Sequence, residues 1–227
     1  MALWGSATFG HLSRNPSAWF NPAMDWTDMA WQRFTQATSG GLFGTLWLYG
    51  PISYATPYVW LGTAANSTEL VLEWFDGTDW QDTAPLDMGT SWFHRAVRYT
   101  AETMMMDLVI NGATVATFPA DLSSFPAQST EYLLNEGASD DVLGMAFHAR
   151  YQSALSDAFI AAQMASPTFF RSHGLIAWAE LTVPTDLTDR FGHDWASAAT
   201  VTYLDGPFTG QWELGRMDFA TSMQETS

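Results

Sequence analysis

The chain has 227 residues and a 47% hydrophobic content, which places it among globular chains long enough to bury a large core. Its 24 acidic and 8 basic residues give a formal net charge of -16, which argues against nucleic acid and anionic membranes as partners. Cys is absent, so disulfide scaffolds, thiolate nucleophiles and Cys-ligated metals are excluded.

The first ten residues, Met1 to Gly10, show neither a basic n-region nor an apolar h-region, so no secretory signal is expected. No stretch approaches the ~20 apolar residues of a membrane span. All eight bases are Arg. Beyond the start, the dominant period is two, with turns every ten residues or so. Strands are expected over 30–37, 42–49 and 58–62. Thr68 to Phe75 alternates, with Leu70, Leu72 and Trp74 on one face and Glu69, Val71 and Glu73 on the other. Asp76-Gly77 then supplies a turn. Phe93, Arg95, Val97 and Tyr99 share one side of the next strand. Met104 to Ile110 alternates in the same way, and the Met104-Met105-Met106 run reads as strand filler. Asn111-Gly112 tolerates positive φ at both positions, predicting a type I′ hairpin into 113–118. A further strand is expected over 142–151. Ser156 and Asp157 then open a short helix that stops at Ser166-Pro167. Strands resume over 175–183, 199–204 and 211–219. Short strands with polar turns predict an all-β, antiparallel two-sheet sandwich with one short helix.

Two segments resemble the laminin-G-like family of concanavalin-A-like jelly-roll domains. One is Trp92-Phe93-His94-Arg95-Ala96-Val97-Arg98-Tyr99, followed by Leu108 to Gly112; it is similar to the family's W-x-H-x-A-V strand and the later strand ending in V-N-G. The other, Ala149 to Ile160, looks like its late strand-to-helix segment, and Asp25 to Trp31 looks like an early strand. The segment Leu175 to Leu214 resembles the stretch that usually opens such a domain, yet here it follows the helix. The resemblance therefore implies one domain over 1–227, circularly permuted, with 175–219 supplying the strands that usually come first. A second truncated domain is the alternative, but about 50 residues are few for a sandwich.

Chemistry is sparse. The E-x-D-x-x-E pattern of glucanases is missing, and Glu69 and Glu73 share a strand face with no matched acid between them. No G-x-S-x-G elbow occurs, and no His pair has helical metal spacing among His11, His94, His148, His173 and His193. His94 reads as a packed strand residue. No catalytic residue is assigned, and no phosphate loop is visible. Asn66-Ser67-Thr68 fits a glycosylation sequon but reads as a turn. The resemblance raises calcium at a loop rim, with Asp76, Asp79, Asp140 and Asp141 as candidate ligands; solvated loops are the simpler reading. Trp80, in an Asp-rich turn, is the least core-like platform for a sugar ring, and Trp60, Trp47 and Tyr49 could line a strand face.

Three functions compete on this fold. The first expectation is a non-enzymatic virion surface protein, a capsid decoration or tail-fibre module. It would meet other virion or surface proteins and glycans, self-associate, and reach a virion or extracellular surface without a signal peptide. The alternative is a bacterial carbohydrate-binding or adhesion module. A glycan hydrolase ranks last, for want of the acid motif.

Overall fold

Alternation at period two builds two antiparallel sheets that face one another, and the apolar side of each strand fills the space between them. The computed structural model describes residues 2–4, 12–34, 45–50, 56–64, 67–128, 130–135, 143–165, 173–179, 191–194, 196–197 and 202–204. The strands in chain order are β1 (Ala2–Trp4), β2 (Leu12–Arg14), β3 (Trp26–Phe34), β4 (Thr45–Tyr49), β5 (Tyr58–Thr63), β6 (Glu69–Phe75), β7 (Trp80–Asp82) and β8 (Leu86–Asp87). They continue with β9 (Phe93–Thr100), β10 (Met105–Ile110), β11 (Ala113–Pro119), β12 (Glu131–Asn135) and β13 (Leu143–Tyr151). After the helix α1 (Asp157–Met164) come β14 (Leu175–Ala179), β15 (Ala196–Ser197) and β16 (Thr202–Leu204).

The first sheet runs β11-β10-β9-β3-β13-β1-β16, with β14 also pairing β13. The second runs β15-β2-β12-β4-β5-β6-β7, with β8 also pairing β6. The jelly-roll sandwich expected from the sequence is the fold observed. The late strands enter both sheets: β14 and β16 lie beside β13 and β1, and β15 lies beside β2.

The inner layer is built from both sheets. Trp26, Phe93, Val97, Tyr99 and Leu108 meet Trp47, Tyr49, Leu61, Leu72, Trp74 and Leu133. The outer face of the first sheet buries Met29, Ala96, Ala149 and Tyr151 under Ile160 of α1. Ser156 caps that helix, its hydroxyl accepting from the Phe159 N–H at 3.2 Å. Asn111 (φ 49°) and Gly112 (φ 81°) form the hairpin turn, and Gly112 touches the helix so closely that a Cβ there would stand 2.8 Å from the Ala161 Cβ.

One irregularity decides what the core contains. The β13–β3 register shifts between Ala146 and Ala149, and Phe147 there has φ 55°. Such a bulge flips the in-out alternation. Ala146 and Phe147 both face outward, so His148 and Arg150 face into the sandwich.

Candidate functional site

The most concentrated chemistry lies between the sheets. The Asp28 carboxylate accepts from Arg150 (Nε 3.1 Å, Nη2 2.6 Å) and from Arg95, and lies 2.7 Å from His148 Nε2. Glu131 accepts from Arg14 Nε at 2.6 Å, from Trp47 Nε1 at 2.7 Å, and from Arg150. Asp28, Glu131, His148, Arg95 and Arg150 are wholly buried. Burial would raise the Asp28 carboxyl, but His148, Arg95 and Arg150 pull it well below the usual range. Burial likewise opposes the shift of Glu131, which Arg14 and Arg150 bring down to about 2. Burial lowers His148, against the Asp28 charge and hydrogen bond, which raise it.

Ligand atoms of Asp28, Glu131 and His148 all lie within 4.8 Å of one another, a spacing that suits a metal ion. Their oxygens are already engaged by guanidinium groups, and Arg150 bridges the two carboxylates. A divalent cation would have to displace those charges. The arrangement is an ion-pair network that fixes how the two sheets meet, and it offers no route for a substrate. Its members were legible only in part. Arg95 sits in sequence among inward-facing Phe93, Val97 and Tyr99, which marks a buried charge. Arg150 and His148 reach the centre only through the bulge, and Glu131 only through sheet register.

Accessible chemistry gathers at the edge of the second sheet. Antiparallel register places Trp80 opposite Phe75, which is opposite Tyr58, and places Asp82 opposite Glu73, which is opposite Trp60. Directly opposed residues share a face, so all six lie on the outer side of this sheet. Trp80 is 51% exposed, and its ring packs on Phe75 with centroids 5.2 Å apart. Its Nε1–H donates to the Tyr58 hydroxyl at 3.2 Å, and that hydroxyl donates to Glu73. The indole is thus pinned at its edge while half of it meets solvent. That arrangement suits stacking on the apolar face of a sugar, with hydroxyl and carboxylate partners alongside.

The other expected platforms are corrected by the structure. Trp47 is 0% and Tyr49 1% exposed; both are inner-layer residues of β4, a strand with apolar side chains on both faces. Trp60 is 8% exposed, with its Nε1–H donating to Thr45 Oγ1 at 2.9 Å. A ring in these positions has no face to offer a ligand. Asp76 closes its own turn, accepting from the Thr78 and Asp79 N–H groups at 2.7 and 2.8 Å, and Asp79 is exposed. An acidic turn of that kind makes no metal argument by itself. Asp140 and Asp141 lie outside the described residues, as does the strand expected over 211–219. His94 is buried against Trp31, and burial and the Arg95 charge lower its pKa to about 3. Tyr58 and Glu73 were missed as site residues, because their meeting with Trp80 depends on cross-strand register.

A cleft of about 500 Å³ lies at the strand ends, lined by Trp19, Asn21, Phe125 and Gln152 among others. The Gln152 side chain is engaged by Asn21 and Asp25, and Trp19 is stacked on His193 with centroids 4.1 Å apart. Most of its polar lining is therefore committed to holding the loops together.

No family model matches the sequence, and no curated protein matches it either. Solved structures do match in fold. A putative carbohydrate binding protein from Bacteroides ovatus superposes with a TM-score of 0.65 at 16% identity, over 92% of this chain and 62% of that one. The binding domain of Botulinum neurotoxin DC, solved in complex with rat synaptotagmin II, gives a TM-score of 0.57 at 14% identity, over 74% of this chain and 43% of that one. A native heptameric SAP-like pentraxin from Limulus polyphemus gives 0.53 at 12% identity, over 88% and 92% of the two chains. This chain therefore spans less than two thirds of the first two structures, and what all three share with it is the jelly-roll sandwich.

Proposed function

We propose that this chain is a non-catalytic glycan-binding module of laminin-G-like type, with its contact surface at the Trp80 edge of the second sheet. The observation that carries the proposal is the half-exposed indole of Trp80, backed by Phe75 and held by Tyr58. A large apolar ring kept at the surface by a hydrogen bond costs hydrophobic burial, and a ligand face would offset that cost. The fold neighbours support the reading, since one is described as a carbohydrate binding protein and another is a toxin binding domain. Catalysis would ask for two carboxyls in distinct environments around a sequestered bond. Glu73 and Asp82 share one open strand face, and Asp28 and Glu131 are sealed in ion pairs. A virion surface, expected from the sequence, is the setting we propose for such a module.

The test is a glycan panel read by calorimetry and thermal melting, with sizing in parallel. A bound glycan should raise the melting temperature of the wild-type chain. Trp80→Ala should weaken that glycan by about tenfold or more while the melting temperature without ligand stays close to wild type. A Trp80→Ala protein that binds as well as wild type removes this site from the proposal. A stable oligomer that responds to no glycan would favour the architectural virion role.

A further inference from the structure

We infer that the ligand of the Trp80 edge is an amino sugar, a glycan carrying a free ammonium group. This rests on the glycan-binding reading above and names its substrate class. The first observation is a pair of like charges. Glu73 on β6 and Asp82 on β7 stand directly opposite each other on the outer face. Like charges in that position destabilise a sheet. Among the described residues no basic side chain pairs with either of them, and Glu73 has only the Tyr58 hydroxyl as a donor. A cation between them would turn the repulsion into two attractions.

The second observation is the neighbour of that pair. Trp80 is two residues before Asp82 on the same strand face, so an ammonium drawn to the carboxylates lies beside an exposed indole. Cations are attracted to indole faces, and Trp is the strongest of the aromatic partners. The third observation is the sign of the whole edge. From Glu69 to Asp87 the chain carries Glu69, Glu73, Asp76, Asp79, Asp82 and Asp87 and no base; the next Arg, Arg95, is buried against Asp28. Sialylated, sulfated or uronic glycans would meet that field with their own charge. A neutral sugar could stack on Trp80 but would leave the two carboxylates facing each other.

The experiment compares glucosamine oligomers with N-acetylglucosamine oligomers of the same length, and with sialyllactose, by calorimetry on the intact chain. The free-amine series should bind about tenfold tighter than the acetylated one at low salt, and the advantage should shrink as salt rises. Glu73→Gln and Asp82→Asn should each pull the ratio toward one, and Asp82→Asn should leave the melting temperature unchanged or higher, because a repulsion is removed. Equal binding of the two series, tighter binding of sialyllactose, or binding of a Lys-rich peptide in preference to glucosamine would each overturn the inference while leaving the surface itself a binding site. No binding of any glycan would instead overturn the function proposed above, and this inference with it.

Discussion

At the scale of single residues, the buried charges tie stability to pH. Glu131 is held near 2 in the folded chain against an ordinary value of 4.5, and Asp28 is also held low. A depressed carboxyl contributes stability that is complete above its unfolded value and is lost as pH falls through its folded one. His94 and His148 act in the same direction from a higher starting point. Burial lowers both, His94 from 6.5 to about 3, so the unfolded chain takes up their protons first. Urea unfolding at a series of pH values should therefore show stability declining from about pH 6.5 and falling most steeply between about 4.5 and 2. Glu131→Gln should flatten the lower limb and cost about 3–5 kcal/mol at neutral pH, because Arg14 and Arg150 lose a buried partner. An unchanged acid limb in that variant would mean the network is not what titrates. Sequence alone exposed one thread of this network, Arg95. Charge type is visible in a sequence, but which charges meet depends on register between strands far apart in the chain.

Individual elements were the most legible part of the fold. The alternation from Glu69 to Phe75 and from Phe93 to Tyr99 assigned the correct residues to the inner and outer faces. The Asn111-Gly112 turn and the Ser156 cap fall where local chemistry put them. The short strands β2, β7 and β8 left no periodic trace, since two or three residues cannot show a period. That is why Trp80 read as a turn residue and its partners Phe75 and Tyr58 went unnoticed. The hairpin also makes a sharp prediction of its own. Gly112→Ala forces a side chain into a positive-φ position and against Ala161. It should cost about 1–3 kcal/mol in thermal or urea unfolding and speed hydrogen exchange in α1. A variant with wild-type exchange in the helix would show that the turn does not anchor it.

Across the whole molecule, residues distant in sequence are bound into shared sheets. β14 hydrogen-bonds to β13, β15 to β2 and β16 to β1, so the last third of the chain contributes to both layers. We therefore propose one cooperative unit, as the permuted-sandwich expectation from the sequence has it. A chain ending before Leu175 should lose its single sharp unfolding transition and expose core surface to a hydrophobic dye. A truncated chain that melts cooperatively near the wild-type temperature would make the late strands an appendage.

The extra residue at Phe147 carries a consequence for how such a chain can vary over generations. Side chains at the centre can be exchanged one for another at a finite cost, whereas the count of residues in the regularly paired run after the bulge sets which face each later residue meets. Losing Phe147 would only remove the bulge and leave His148 and Arg150 facing inward, whereas deleting a position in the regular run that follows, at Ala149, would turn Arg150 outward and swing Tyr151 into the middle, taking from Asp28 and Glu131 the guanidinium that bridges them. One residue lost from the exposed turn at Thr78 would shift the three-residue edge strand that carries Trp80 and Asp82, and with it their register against Phe75 and Glu73. Descendants of this sequence can lose the bulge residue of β13, but along the rest of that strand they are free to drift in composition and not in length.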